Sequence, residues 1–167
     1  MRVITRWLFI LLCLVAMAGC NAGRLAGSAT RPDPKMGYVL VSIDSDFGGV
    51  LPIKPDSFWG APSFLGLAPN KTYLLQLRSG GYSFGAIGTT RILIGWGTYG
   101  IAPFSVQPGK VVYLGKYTFR MVGTRKYSLY VKDSLPESLR DLDEAARGEI
   151  TGLPIEHDVP QYEKHHG

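Results

Sequence analysis

Between residues 37 and 133 the apolar positions recur mostly with a period of two, in short runs closed by glycine, proline or aspartate. This is the pattern of β-strands bounded by turns. Tyr38-Val-Leu-Val-Ser-Ile43 predicts a strand that closes at Asp44-Ser-Asp46. Thr72-Tyr-Leu-Leu-Gln-Leu-Arg78 predicts another, entered through Pro69-Asn70-Lys71 and ended by Gly80-Gly81. Arg91–Trp96 is an apolar run between glycines, and Phe104-Ser-Val106 leads into Pro108-Gly109, a dipeptide suited to a type II turn. The longest alternation is Val111–Met121, whose pattern puts Val111, Tyr113, Tyr117 and Phe119 on one face with Gly115 between them. Lys126–Lys132 follows after Gly123-Thr124, with Tyr127, Leu129 and Val131 on one side, and the two strands predict a hairpin.

The period changes once. From Ser134 to Arg147, Leu135, Leu139, Leu142 and Ala146 fall at spacings of four, three and four, an amphipathic helix. Ser134 and Glu137 have the spacing of a capping box, and Gly148 stands where such a helix ends. Strands bounded by turns with one late helix, and no alternation of strand and helix, predict an antiparallel β-sandwich of the transthyretin-like or immunoglobulin-like kind with one C-terminal α-helix. The organisation expected is a leader over 1–19, a cysteine and flexible tether over 20–36, a sandwich over 37–133, a helix over 134–148 and a loosely ordered tail over 149–167.

The leader changes the picture most. Arg2 and Arg6 precede an apolar run from Trp7 to Met17, which suits a signal-peptide core and is too short to span a bilayer. It ends in Met17-Ala18-Gly19-Cys20, which resembles the lipobox of bacterial lipoprotein signal peptides, with Met17 in place of the usual leucine. The resemblance implies cleavage between Gly19 and Cys20, acylation of Cys20, and no cofactor beyond that covalent lipid. Asn21 after the cysteine, by the sorting rule of that class, implies an outer-membrane anchor facing the periplasm. A second resemblance covers about a third of the mature chain. Pro108-Gly109-Lys110 followed by Val112-Tyr113-Leu114-Gly115, with Leu67-Ala-Pro-Asn-Lys-Thr-Tyr73 earlier, is similar to small lipoproteins with a carboxypeptidase-regulatory-like or transthyretin-like sandwich.

Composition narrows the chemistry. Both cysteines, Cys13 and Cys20, lie in the first 20 residues, so the region after them offers no thiol for a disulfide, a zinc site or a nucleophile. Removal of Arg2 and Arg6 leaves 16 Lys/Arg against 13 Asp/Glu, a net charge of +3, scattered without a basic run. Nucleic acid is therefore not an expected partner. His157, His165 and His166 all fall in the tail, away from any serine or carboxylate pattern of a hydrolase. Asp44 and Asp46 lack the further oxygen ligands of a calcium loop and read as turn formers. No metal site and no catalytic residues are expected. The candidate binding surface is the Gly-rich region carrying Tyr82, Trp96 and Tyr99, with Trp59 earlier, where exposed rings would suit a glycan or small ligand and buried rings would be core. The functional expectation is a non-enzymatic interaction or structural component of the envelope. The alternatives are a ligand-binding module and an accessory subunit of an envelope secretion or assembly machine.

Overall fold

The computed structural model of the chain describes residues 24–25, 35–46, 48–57, 62–85, 87–88, 93–94, 103–123, 126–160 and 163–165. The first strands are β1 (Arg24–Leu25), β2 (Met36–Ser45), β3 (Gly49–Pro55), β4 (Ser63–Leu67) and β5 (Lys71–Arg78). They are followed by β6 (Gly80–Phe84), β7 (Ile87–Gly88), β8 (Leu93–Ile94), β9 (Phe104–Val106), β10 (Val111–Gly123) and β11 (Lys126–Lys132). Two helices, α1 (Leu135–Asp141) and α2 (Glu144–Ile150), precede β12 (Ile155–His157) and β13 (Glu163–His165).

The protein is mainly β, in two open sheets. The first has the order β1-β5-β2-β10-β11-β13, with β12 also on β10; the second has the order β8-β7-β3-β6-β9, with β4 on β3. Val39, Val41, Ile43, Leu75, Leu77, Tyr117 and Phe119 of the first sheet share one apolar core with Leu51, Ile53, Leu65, Phe84 and Phe104 of the second. The opposite face of the first sheet, with Tyr38, Leu40, Leu74, Val111 and Tyr113, packs on Leu142, Ala146 and Ile150 of the helical segment. Strands β2 and β5 are thus covered on both faces, which is why they read as continuous apolar runs.

The sheets are not wholly antiparallel. Strand β2 pairs β5 antiparallel but β10 parallel, Val111 lying opposite Tyr38 and Phe119 opposite Ser45. Strand β12 also runs parallel to β10. The predicted β10–β11 hairpin is present, with Tyr117 opposite Val131 and Phe119 opposite Leu129. Its predicted face is not. The β2–β10 register shifts between Tyr113 and Lys116, where Gly115 has φ +95, so a bulge reverses the alternation. Val111 and Tyr113 therefore face the helices, while Tyr117 and Phe119 face the second sheet. A Cβ at Gly115 would also stand 2.9 Å from the Val159 side chain.

The bulge explains the tail. Strand β11 pairs β10 from Lys116 onward, leaving the backbone of Val111–Tyr113 without a partner on that edge. Strand β12 fills it, and Asp158 N–H donates to the Tyr113 carbonyl at 2.9 Å. Residues 149–167, expected to be loosely ordered, thus supply the end of α2, β12 and β13, the last antiparallel to β11.

The expected single helix is two. Leu142 and Asp143 are extended, and the Asp143 carboxylate accepts from Ala146 N–H at 2.7 Å, capping α2. The capping box does not form. Ser134 is buried and makes no side-chain cap, and the Asp133 carboxylate accepts from Leu135 N–H at 3.2 Å instead. Gly148 lies inside α2, which runs on to Ile150.

Burial raises the hydroxyl pKa of Tyr117, with Asp158 adding to the effect, and burial also raises those of Tyr113 and Tyr82. The native chain then holds these protons at pH values where the unfolded chain, titrating near 10, releases them. The stability they confer is complete below about pH 10 and is lost as pH rises past that value. Urea midpoints should hold between about pH 8 and 10 from this cause and fall above about pH 10, and fall less in Tyr117→Phe.

Candidate functional site

Hydroxyl groups join α1 to the first sheet. Ser42 Oγ lies 2.7 Å from Thr72 Oγ1 and 2.7 Å from Ser138 Oγ, bridging β2, β5 and α1. Tyr113, fully buried, accepts from Ser134 N–H at 2.9 Å and lies 3.4 Å from Ser138 Oγ. The hydroxyls of Ser42, Thr72, Tyr113 and Ser138 therefore meet one another and set where α1 docks. Outside them is a cleft of about 50 Å³ bordered by Lys71, Lys116, Glu137 and Asp141. It has room for water. The ion pair at its rim, Lys116 to Glu137, is 3.9 Å long.

On the other side of the first sheet, β4 and β5 border an apolar recess of about 210 Å³ lined by Ile53, Ser63, Leu65, Leu75 and Leu77. Phe64, between two inward residues of β4, turns outward and is 66% exposed. Val50, also outward, is 43% exposed. These are large apolar side chains held in water by the sheet alternation itself.

No protein-family model matches the chain, and no curated protein does. The site has to be read from its own residues.

Of the candidate aromatic surface, Trp59, Trp96 and Tyr99 lie outside the described residues, as do Gly19 and Cys20. Tyr82 is half-buried; its ring stacks on Phe104 at 5.9 Å and its hydroxyl donates to the Arg78 carbonyl at 2.9 Å. Phe84 and Phe104 are core rings, 5.2 Å apart, beside the glycines of β6. The tail histidine His157 is placed by β12: its Nδ1 is 3.1 Å from the Asp133 carboxylate and its ring meets Tyr113 edge-on at 5.7 Å. It remains exposed. Among the described residues no three His, Cys, Asp or Glu side chains come together in a way that would hold a metal.

Asp44 and Asp46 do not act as a pair. Asp44 accepts from Arg120 Nη2 at 2.7 Å across the parallel β2–β10 ladder, and Arg120 Nη1 also donates to the Asp44 and Phe119 carbonyls. That hydrogen bond, with the nearby carboxylate charges, raises the Arg120 pKa. Asp46 is exposed in the following bend. Sequence reasoning missed the Ser42–Thr72–Ser138–Tyr113 cluster, whose members lie up to 96 residues apart. It also missed Phe64; the signal for it was the alternation Ser63-Phe-Leu-Gly-Leu67, short enough to pass as loop.

Proposed function

We propose that this chain is an exported lipoprotein, cut before Cys20 and held by acyl chains on that cysteine at the periplasmic face of a membrane, the outer one by the identity of Asn21. The observation that carries the reading is the leader itself, two arginines, an apolar core of signal-peptide length, and Met17-Ala18-Gly19-Cys20. Two or more acyl chains anchor stably where one binds marginally, which gives an isolated cysteine at this position a physical use. The shared core of the two sheets supports reading the folded part as a β-sandwich of transthyretin-like or immunoglobulin-like winding. The domain is a non-enzymatic interaction or structural component of the envelope, and its chemistry supports that role: buried hydroxyls tie elements together and the recess between β4 and β5 is apolar.

Intact-mass measurement of the protein extracted from membranes tests the anchor. The expected mass is that of residues 20–167 plus two or three acyl chains, and Cys20→Ser should move the protein to the soluble periplasmic fraction. In-cell crosslinking of both forms tests the interaction role, with a partner expected on the wild type that is lost with the anchor. An unmodified Cys20 in the mature protein would refute the reading.

A further inference from the structure

Among the described residues β4 is an edge strand, with β3 as its neighbour on one side. The Pro52 carbonyl of β3 accepts from Gly85 N–H, and Val50 pairs with Gly88 of β7, so both turn their backbone groups away from β4. In an antiparallel ladder the residues opposite such positions turn outward as well. These are Phe64, opposite Pro52, and Gly66, opposite Val50. Their N–H and C=O groups point off the outer edge of β4, where they meet no partner among the described residues.

Sheets commonly blunt such an edge with a charge, a proline or a bulge. Strand β4 uses none of these. Ser63–Leu67 contains no charged residue and no proline, and it pairs with β3 in unbroken register. The charge-free stretch runs from Pro62 to Asn70. A second copy would bring the same charges as the first, so an edge that pairs with itself has to be uncharged, as this one is.

The edge is also self-complementary. Phe64 and Gly66 flank Leu65, one with an exposed ring and the other with no side chain. A two-fold axis through Leu65 sets Phe64 of each copy opposite Gly66 of the other, and each outward donor then meets an outward acceptor. Each ring lies over the other copy's glycine, a contact that offsets the weakness of glycine in a strand. There is room for it, since no atom lies within 4 Å of a Cβ built at Gly66. On the inner face the two Leu65 side chains stand opposite each other, at the recess of about 210 Å³ that Phe64, Leu65 and Gly66 help to line.

We propose that the protein forms a two-fold symmetric dimer by antiparallel pairing of β4 with β4 of a second copy, centred on Leu65. The second sheet then runs continuously through both copies. The dimer needs no lipid anchor. Its contact is one strand wide, so the pair is weak and reversible.

Residue-resolved hydrogen exchange on the full chain in detergent, at low and high protein concentration, tests this. The amides of Phe64 and Gly66 should exchange several-fold more slowly at high concentration, while that of Leu65, which faces β3, changes little. Gly66→Lys, which puts a side chain and a like charge where the ring lies, should abolish the difference. Leu65→Cys, oxidised in cells, should give a disulfide-linked dimer that Val50→Cys and wild type do not give, because residues facing each other at such an axis have Cα atoms about 4.5 Å apart. Fast exchange at Phe64 and Gly66 at both concentrations would overturn the dimer. So would protection independent of concentration, which would mean that the edge is covered from within one chain. The exchange measurement uses the unaltered chain and decides the matter even where Leu65→Cys destabilises the fold.

Discussion

Tyr113→Ala is expected to lower the unfolding free energy by about 4 kcal/mol, as large-to-small changes at fully buried rings do. The ring is completely enclosed between the first sheet and the helical layer, in contact with the cluster that includes Leu40, Val111, Leu142 and Ile150. Its removal leaves a cavity that the surrounding strands cannot close, because β10 is held by β2 on one side and by β11 and β12 on the other. The hydroxyl adds a separate part. Ser134 N–H donates to it at the start of α1, and without it that donor is buried unsatisfied. Tyr113→Phe isolates this term and should cost about 1–3 kcal/mol. Denaturant midpoints would give the two values. Hydrogen exchange would place the loss, with α1 amides exchanging faster in Tyr113→Phe while the β2–β5 pairing keeps its protection. Equal destabilisation by both variants would mean that the ring volume contributes nothing, contrary to its enclosure.

Gly37→Val is expected to be as damaging from the other end of the fold. A Cβ at Gly37 would stand 2.1 Å from the Gln107 carbonyl oxygen and 2.8 Å from the Val106 side chain. The obstacle is backbone, and this backbone is fastened: Gly109 N–H donates to the Met36 carbonyl and Tyr38 N–H to the Lys110 carbonyl. Relieving the clash breaks the seam between β2 and the Pro108-Gly109 turn, so overpacking of about 1–3 kcal/mol is joined by loss of two hydrogen bonds worth about 1 kcal/mol each. For a domain of this size the melting temperature should drop by about 10 °C. Gly66→Ala is the matched control. No atom lies within 4 Å of its added Cβ, and its stability should stay within about 0.5 kcal/mol of wild type.

Much of the β framework was legible because its strands are continuous in composition. The strands around Tyr38–Ile43, Thr72–Arg78, Phe104–Val106 and the β10–β11 hairpin all stand where the alternation and turns put them. What escaped has local causes. Strand β3 carries Pro52 and Pro55, which read as loop. The sheet tolerates Pro52 because its missing N–H falls where β6 gives way to β7, and its carbonyl still accepts from Gly85 N–H at 2.7 Å. Gly115 was visible as an interruption of β10, but that it reverses the faces depends on a positive φ that composition does not reveal. The split of the helix was written at Asp143-Glu-Ala-Ala, a capping sequence overridden in the reading by the continuous leucine stripe. The parallel β2–β10 ladder left no mark at all, since parallel and antiparallel strands buried on both faces share one composition. The hydroxyl cluster under α1 left no local mark, because Ser42, Thr72, Tyr113 and Ser138 meet only through contacts between separate segments.

The parallel seating of β2 against β10 also orders events in time. The first long strand of the domain has its central partner far along the chain, Asp44 meeting Arg120 across 76 residues, and that partner is in turn completed by β12 near the C-terminus. A hairpin can close as soon as its second strand is made, but this sheet centre waits for nearly the whole polypeptide, and such distant pairings slow folding. Until its last third is made, the chain therefore lacks the strand that completes the centre of its first sheet.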